Sequence, residues 1–218
     1  MRHNTFDTKK MVLLAMLAAI AYLMVVLIRI PVILFLNYEP KDVIIVICGF
    51  LFGPFASLAV SLVVSLVEMF TISGTGPIGA LMNFLSTCSF ACTAAFFYRK
   101  HRTGKGAVAG LLCGSILMIV VMLLWNYLIT PLYMTDTSRQ DVAAMLLPVF
   151  LPFNALKAGL NCAITLLLYK PLVNGLRKAK LLPRSEKSAS AAKPAIYLIG
   201  AFLLVSCILV FLVLKGIL

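Results

Sequence analysis

The chain has 218 residues, of which 62% are hydrophobic and only 12% are charged, and its formal net charge is +12. A soluble domain of this size needs more charged surface, so the composition excludes one and indicates an all-α integral membrane protein. The positive charge does not indicate nucleic-acid binding, because the sequence has no basic soluble module that could carry it.

The first apolar segment predicts a membrane span over about residues 9–30. It is too long for the hydrophobic region of a signal peptide, so we expect it to be retained. Pro31 stops or bends this helix, because proline lacks the backbone N–H that a continuing helix needs. A semi-apolar loop that ends in three charged residues follows.

The next apolar run, residues 42–71, is too long for one span, and Gly53-Pro54 divides it. We predict a short helix over 42–52 and a full span over 55–71. A helix of about eleven residues covers only about half of the hydrocarbon core. We therefore expect the short helix to pack inside a bundle, with the loop before it folded back into the membrane.

The remaining sequence predicts four more spans. A glycine-rich turn at 73–79 comes first, and it lacks the Gly-Lys-Ser/Thr of a phosphate-binding loop. The predicted helices then cover 77–98, 107–130, 148–176 and 195–217. A polar external loop follows the fifth helix, and a flexible linker precedes the last. The fold prediction is therefore a six-helix bundle with a short second helix, plus an extra C-terminal transmembrane helix.

The predicted organisation has three regions, and basic residues indicate their orientation. The regions are a membrane core at 1–181, a cytoplasmic linker at 182–194 and the additional helix at 195–218. Most Lys and Arg residues lie before the first span, between the fourth and fifth helices, or around the linker. The positive-inside rule makes that side cytoplasmic. We expect a multi-pass protein of the cell membrane with its N-terminus inside and its C-terminus outside.

Catalytic motifs are missing from the sequence. The two histidines lie in basic segments, no acid-rich cluster could hold magnesium, and neither a Walker motif nor a nucleophile elbow is present. All six cysteines lie in apolar runs and lack the partners of a zinc site. We predict a protein that is not an enzyme and that holds no metal.

Polar residues instead gather near the predicted external ends of the spans. A charged side chain in mid-span, such as Lys157, costs about 2.5–3.5 kcal/mol on insertion scales, so something must offset it. Asn154, Lys157 and Asn161 share one helical face, which suits a pocket that binds a polar, largely uncharged ligand through amides. The other polar residues of this region are Asn37, Tyr38, Glu39, Asp42, Glu68, Asn83 and Asn126.

Structural explanations stay open for several of these residues. Asn83 and Asn161 can hold helices together, since amides bond across helix interfaces. Glu39 and Asp42 can be solvated loop charges or part of a helix N-terminus. Glu68 can lie near the lipid headgroups, or it can neutralise Lys157.

Helix one carries small residues at helical spacing, with Ala15 and Ala19 four positions apart. Such a stripe lets another helix approach closely. Packing within this chain and docking of a partner protein both explain it.

Five sequence elements resemble one transporter family. They are "AMLAAIAY", "NYEPKDVIIVICGFLFGP", "GPIGALMNFL", "WNYLITPLY" and "LPFNALKAGL". Together they resemble the substrate-binding S components of energy-coupling factor (ECF) vitamin transporters, and the last two resemble the riboflavin-specific type. The resemblance covers about residues 8–178 and leaves the linker and the last helix outside.

The resemblance implies capture of riboflavin from outside and its delivery inward together with a membrane coupling protein and two cytoplasmic ATPases. Riboflavin is then the transported ligand, and no resident cofactor is expected. Ala15 and Ala19 match the small-residue motif that docks on the coupling protein. The positions implied near the ligand are Asn126, Asn154, Lys157, Glu39, Asp42, Tyr38, Asn83 and Thr87, with Phe35 and Trp125 as candidates to cover the flavin ring.

Three other functions fit the sequence less well. The first is an S component for another vitamin, and only the "WNY" and "PFNALK" elements argue against it. A membrane enzyme that acts on lipids requires cytoplasm-facing acidic or histidine residues that the sequence lacks. A non-enzymatic membrane assembly subunit leaves the clustered amides unexplained.

Overall fold

The computed structural model describes residues 8–34, 36–72, 74, 76–133, 138–179 and 194–217. The α-helices in this part of the chain are α1 Thr8–Leu27, α2 Lys41–Phe52, α3 Pro54–Thr71, α4 Gly76–Lys100, α5 Gly104–Tyr133, α6 Arg139–Met145, α7 Leu151–Lys178 and α8 Pro194–Leu214. A π-helical turn, Leu146–Phe150, joins α6 to α7. Six helical segments of the described residues are long and apolar enough to cross a membrane, with α6 and α7 counted as one. The predicted all-α membrane fold is confirmed.

The division of the long apolar run after the first loop is also confirmed. Gly53 has φ +97°, a conformation that favours glycine, and Pro54 starts α3 at a position where its missing N–H costs no helical bond. The short helix α2 is buried over almost its whole length and contacts α1, α3, α4 and α7. It therefore lies inside the bundle, as its length predicts.

The loop before α2 contains a β-hairpin that is not among the predicted elements. Strands β1, Ile30–Ile33, and β2, Leu36–Tyr38, pair in antiparallel register, with Ile30 opposite Tyr38. Because the chain is extended from Ile30 onward, α1 ends at Leu27 and not near residue 30 as predicted. The hairpin is folded against the bundle, and Tyr38 reaches its buried interior.

Two other helix boundaries differ from prediction. The α4 helix begins at Gly76, so part of the predicted 73–79 turn is helical. The sixth predicted helix, expected at 148, already begins as α6 at Arg139, where Ser138 and Asp141 form a capping box. The π-helical turn contains Pro148, whose missing N–H disturbs regular α-helical bonding.

Two apolar clusters stabilise the bundle. The larger one contains residues from the first five helices and from α7. Phe90 and Met118 are fully buried within it. The smaller one joins the hairpin, α7 and α8 through residues that include Phe153 and Cys207. The last helix therefore packs on α7 and on the hairpin. The predicted linker at 182–194 lies outside the described residues, apart from Pro194 at the start of α8.

Candidate functional site

The polar centre of the bundle begins in the first turn of α2. Lys41 and Asp42 are adjacent in the sequence, and only 1% and 0% of their surfaces are exposed. The hairpin precedes these two residues in the chain, and the buried helix α2 continues from them. An acidic residue in the first turn of a helix is favoured by the helix dipole, which helps to explain the position of Asp42.

Asp42 is bound by side chains from two other helices. Its Oδ2 lies 3.3 Å from the Nζ of Lys157 and accepts a hydrogen bond of 3.1 Å from the amide of Asn161, both on α7. Its Oδ1 accepts a hydrogen bond of 2.6 Å from the hydroxyl of Thr87 on α4. The carboxylate thus joins α2, α4 and α7 at one point.

Lys41 makes a second set of contacts on the other side of the α2 terminus. Its Nζ lies 2.5 Å from Glu68 of α3 and 3.2 Å from Glu39 at the end of the hairpin. The amide of Asn83 on α4 donates to the same Glu68 oxygen over 3.2 Å. Arg29 contacts Glu39 from outside over 3.2 Å. Together these residues connect the hairpin to α2, α3 and α4.

The six charges of this network balance. Arg29, Lys41 and Lys157 stand against Glu39, Asp42 and Glu68. A buried charge is tolerated when it is paired and hydrogen-bonded, and this pairing offsets the cost of Lys157 within the membrane. Asp42 neutralises Lys157, whereas Glu68 pairs with Lys41. The hypothesis that Glu68 neutralises Lys157 is therefore wrong.

Two further side chains extend the network. The hydroxyl of Tyr38 donates to the Oδ1 of Asn161 over 3.0 Å, so the hairpin and α7 are linked directly. Lys157 also donates to the hydroxyl of Ser86 over 3.3 Å. Lys41 and Ser86 are not among the predicted site residues. The sequence does contain an indication for Lys41, because Lys41 and Asp42 are adjacent at the start of a helix that is too short to lie outside the bundle.

Asn126 and Asn154 are buried, but their described hydrogen bonds stay within their own helices. The Nδ2 of Asn126 donates to the carbonyl of Met122 over 2.7 Å, and its Oδ1 accepts from Thr130 over 3.0 Å. The Nδ2 of Asn154 donates to the carbonyl of Phe150, in the π-helical turn, over 2.8 Å. Asn154 shares the buried face of α7 with Lys157 and Asn161, as the spacing predicts.

Two of the predicted site residues have a buried polar atom with no hydrogen-bond partner among the described residues. The atoms are the Oε1 of Glu68 and the indole Nε1 of Trp125, which is adjacent to Asn126. One is an acceptor and the other a donor, so both can bind a polar guest. Phe35, the other aromatic candidate, lies outside the described residues.

The small residues of α1 point away from this network. Ala15 and Ala19 are exposed, whereas Leu13, Leu17 and Ala21 form the buried face of the helix. Packing within the described chain therefore does not explain the stripe. Among the described residues, no group of three or more His, Cys, Asp or Glu is arranged to hold a metal ion.

Comparison with known proteins places the described core in one family. Residues 9–169 match the family described as "ECF transporter, substrate-specific component". The chain is 31% identical over 183 residues to the riboflavin transporter RibU of Staphylococcus aureus (strain TCH60). The aligned region covers 80% of this chain and 96% of that protein. It is 29% identical over 187 residues to the riboflavin transporter FmnP of Bacillus subtilis (strain 168), covering 79% of this chain and 98% of that protein.

A solved structure of the S component of a bacterial ECF transporter is similar to this fold. Its TM-score is 0.66 and its sequence identity is 31%, and the match covers 78% of this chain and 99% of that one. The match to the family ends at residue 169, so α8 lies beyond it.

Proposed function

The chain belongs to the family of substrate-specific (S) components of ECF transporters, and we propose that the ligand it captures is riboflavin. The observation that carries this proposal is its identity of 31% to a named riboflavin transporter across 96% of that protein's length. Membership of this family makes the chain a transport subunit and not an enzyme.

The chemistry of the buried centre supports the choice of ligand. Riboflavin combines a flat ring, a uracil-like edge with donors and acceptors, and a polyhydroxyl tail. Asn126, Asn154 and Lys157 offer amide and ammonium groups to such a molecule, and Trp125 offers an aromatic face and an N–H. A ligand that carries no net charge leaves the balanced ion pairs intact.

Ligand entry requires movement of part of the site. Tyr38, Asp42 and Asn161 are all buried and bound to one another in this structure. The hairpin is the shortest element around them, and it is held by Tyr38 and by the Glu39 pairs. We propose that riboflavin enters beside the hairpin and exchanges hydrogen bonds with the residues beneath it.

We base the proposed orientation and partners on the family and on the distribution of charge. The basic ends of α4 and α7 support a cytoplasmic location for that side, and we propose that the N-terminus lies inside and the C-terminus outside. The ligand site then faces the exterior. The exposed Ala15 and Ala19 support docking of a membrane coupling protein, to which two cytoplasmic ATPases supply energy.

Riboflavin titration of the purified protein tests the ligand. Protein purified from cells should show flavin absorbance, and protein freed of flavin should quench riboflavin fluorescence on binding. Lys157→Ala should weaken binding tenfold or more, because it removes a buried donor. Lys178→Ala is the matched control, since Lys178 is an exposed residue near the end of the same helix.

The results test the identity of the ligand independently of family membership. Binding of another vitamin in place of riboflavin would leave family membership intact and overturn riboflavin. Unchanged affinity in Lys157→Ala would overturn the role of Lys157 alone.

A further inference from the structure

A cavity of about 550 Å³ lies at the basic end of the bundle, away from the polar network. It is bounded by the start of α1, the junction of α2 and α3, and the end of α4. Asn83 and Arg99 belong to the same helix, and sixteen residues of helix separate them by about 24 Å. The cavity is therefore distinct from the candidate ligand site.

Three cations line the cavity: Lys10 of α1, Arg99 of α4 and Arg102 just beyond it. None of them forms an ion pair with another described residue. The described carboxylates are engaged elsewhere, in the network around Asp42 and in the cap of α6. This end of the bundle therefore carries positive charge that the described residues do not neutralise.

The wall and rim of the cavity are apolar. Phe50 and Tyr98 form part of the wall, with ring centroids 4.5 Å apart. Met11 and Phe55 also line the cavity and are 55% and 79% exposed, so they form an apolar rim at the surface of the bundle. The cavity thus combines this apolar rim with the three cations of its lining.

The turn between α2 and α3 contributes space. Gly53 carries no side chain, and a Cβ at this position would meet only the Nη1 of Arg99, at 4.0 Å. The guanidinium of Arg99 therefore lies beside the space that Gly53 leaves open.

We propose that this cavity binds the headgroup of an anionic phospholipid from the leaflet on the basic side. Guanidinium and ammonium groups bind phosphate oxygens through charge-assisted hydrogen bonds, and basic pockets between membrane helices suit such headgroups. The acyl chains lie against Met11 and Phe55. The apolar rim favours a lipid over a free phosphate, because a small soluble anion gains nothing from it.

Bound lipid then acts on the core through α2. One end of this helix, Phe50–Phe52, lines the lipid cavity, and the other end carries Lys41 and Asp42. At 1.5 Å per residue, about 18 Å of rigid helix joins the two sites. A headgroup at the α2–α3 junction holds the buried helix in place and stabilises the bundle.

Lipid-dependent melting of the full-length protein in detergent tests the proposal. Dioleoyl phosphatidylglycerol should raise the melting temperature more than dioleoyl phosphatidylcholine does. The triple variant Lys10→Gln, Arg99→Gln, Arg102→Gln should bind phosphatidylglycerol at least tenfold more weakly than wild type. The matched control, Lys100→Gln, Lys105→Gln, Lys178→Gln, removes the same charge from exposed residues that do not line the cavity and should bind as wild type does.

Three results would each overturn the proposal. Equal loss of binding in both triple variants shows general attraction to a basic surface. Equal stabilisation by inorganic phosphate or by glycerophosphoglycerol shows an anion site that needs no lipid. If the triple variant fails to elute as a single species, Arg99→Gln replaces it, and wild-type affinity of that variant for phosphatidylglycerol counts against the site.

Discussion

The ammonium of Lys157 lies 3.3 Å from the carboxylate of Asp42, although one residue belongs to a long spanning helix and the other to the short buried helix α2. Both side chains are almost fully buried. Each charge therefore makes the other tolerable, and the contact fixes where α2 meets α7. Removal of one partner leaves an uncompensated charge within the bundle, whereas removal of both does not.

This relationship predicts a strong energetic coupling. Asp42→Asn and Lys157→Met should each lower the stability of the protein by about 3–5 kcal/mol, and the double variant should recover most of that loss. Thermal unfolding of the four proteins in detergent measures the coupling as a double-mutant cycle. Riboflavin binding should stay weak in the double variant, because the Lys157 donor is gone.

A second cycle serves as the control for this prediction. Glu68→Gln combined with Lys157→Met should show much weaker coupling, because Glu68 pairs with Lys41. Coupling that is stronger for Glu68 than for Asp42 would contradict the pairing described here.

Several features of the fold could be predicted because they depend on local chemistry. Gly53 and Pro54 divide the long apolar run whatever its tertiary surroundings. The segment before them is too short to span the membrane, so α2 must pack inside the bundle. The hairpin could not be predicted in the same way. Its strands have four and three residues, include Pro31 and lack a clear alternation of polar and apolar side chains.

The members of the buried centre could be predicted, but their pairing could not. Ionisable and amide residues in apolar segments indicate a site because burying them in the membrane costs free energy that some function must justify. Which carboxylate pairs with Lys157 depends on distances between helices. The periodicity of residues within one helix carries no information about those distances. Glu68 and Asp42 were equally available by charge, and only the position of α2 decides between them.

The two buried asparagines predict a difference between ligand binding and stability. Asn126→Ala and Asn154→Ala should each weaken riboflavin binding by about five- to tenfold, as expected for the loss of one hydrogen bond of about 1–1.5 kcal/mol. Fluorescence quenching gives the affinity, and melting in the absence of ligand gives the stability.

The matched control for these variants is Asn174→Ala, an exposed asparagine near the basic end of α7. It should leave the affinity unchanged. If Asn126 and Asn154 only satisfy the carbonyls of Met122 and Phe150, their variants will melt earlier and still bind riboflavin as wild type does.

The exposed stripe of α1 predicts a defect in transport without a defect in binding. Ala15→Leu and Ala19→Leu add bulk where a partner helix is expected to approach, so riboflavin uptake with the coupling module should fall about tenfold or more. The affinity of the purified variants for riboflavin should not change, because both positions face away from the polar network. Uptake into cells or vesicles and co-purification of the coupling protein are the measurements.

Ala201→Leu provides the control for this stripe. Ala201 is an exposed alanine on α8, so the same change there adds the same bulk to a different face of the bundle. Wild-type uptake by the two α1 variants, or an equal loss in Ala201→Leu, would refute a specific docking role for Ala15 and Ala19.

The contact between α7 and α8 predicts that the last helix supports the hairpin. A Cβ at Gly159 would stand 2.6 Å from the Sγ of Cys207, whereas a Cβ at Gly175, on the same helix, meets nothing within 4 Å. Gly159→Leu should therefore displace α8 at a cost of about 1–3 kcal/mol, which lowers the melting temperature by about 2–10 °C in a chain of this size.

The control Gly175→Leu gains the same helix propensity without the collision, so the difference between the two variants isolates the packing of α8. Cys207→Ala should partly restore the melting temperature of Gly159→Leu, because it removes the sulfur that the new Cβ meets. Cys207 and Tyr38 belong to one apolar cluster, so displacement of α8 should also raise hydrogen exchange in the hairpin, residues 30–38. Equal melting of Gly159→Leu and Gly175→Leu would mean that α8 lies beside the bundle without supporting it.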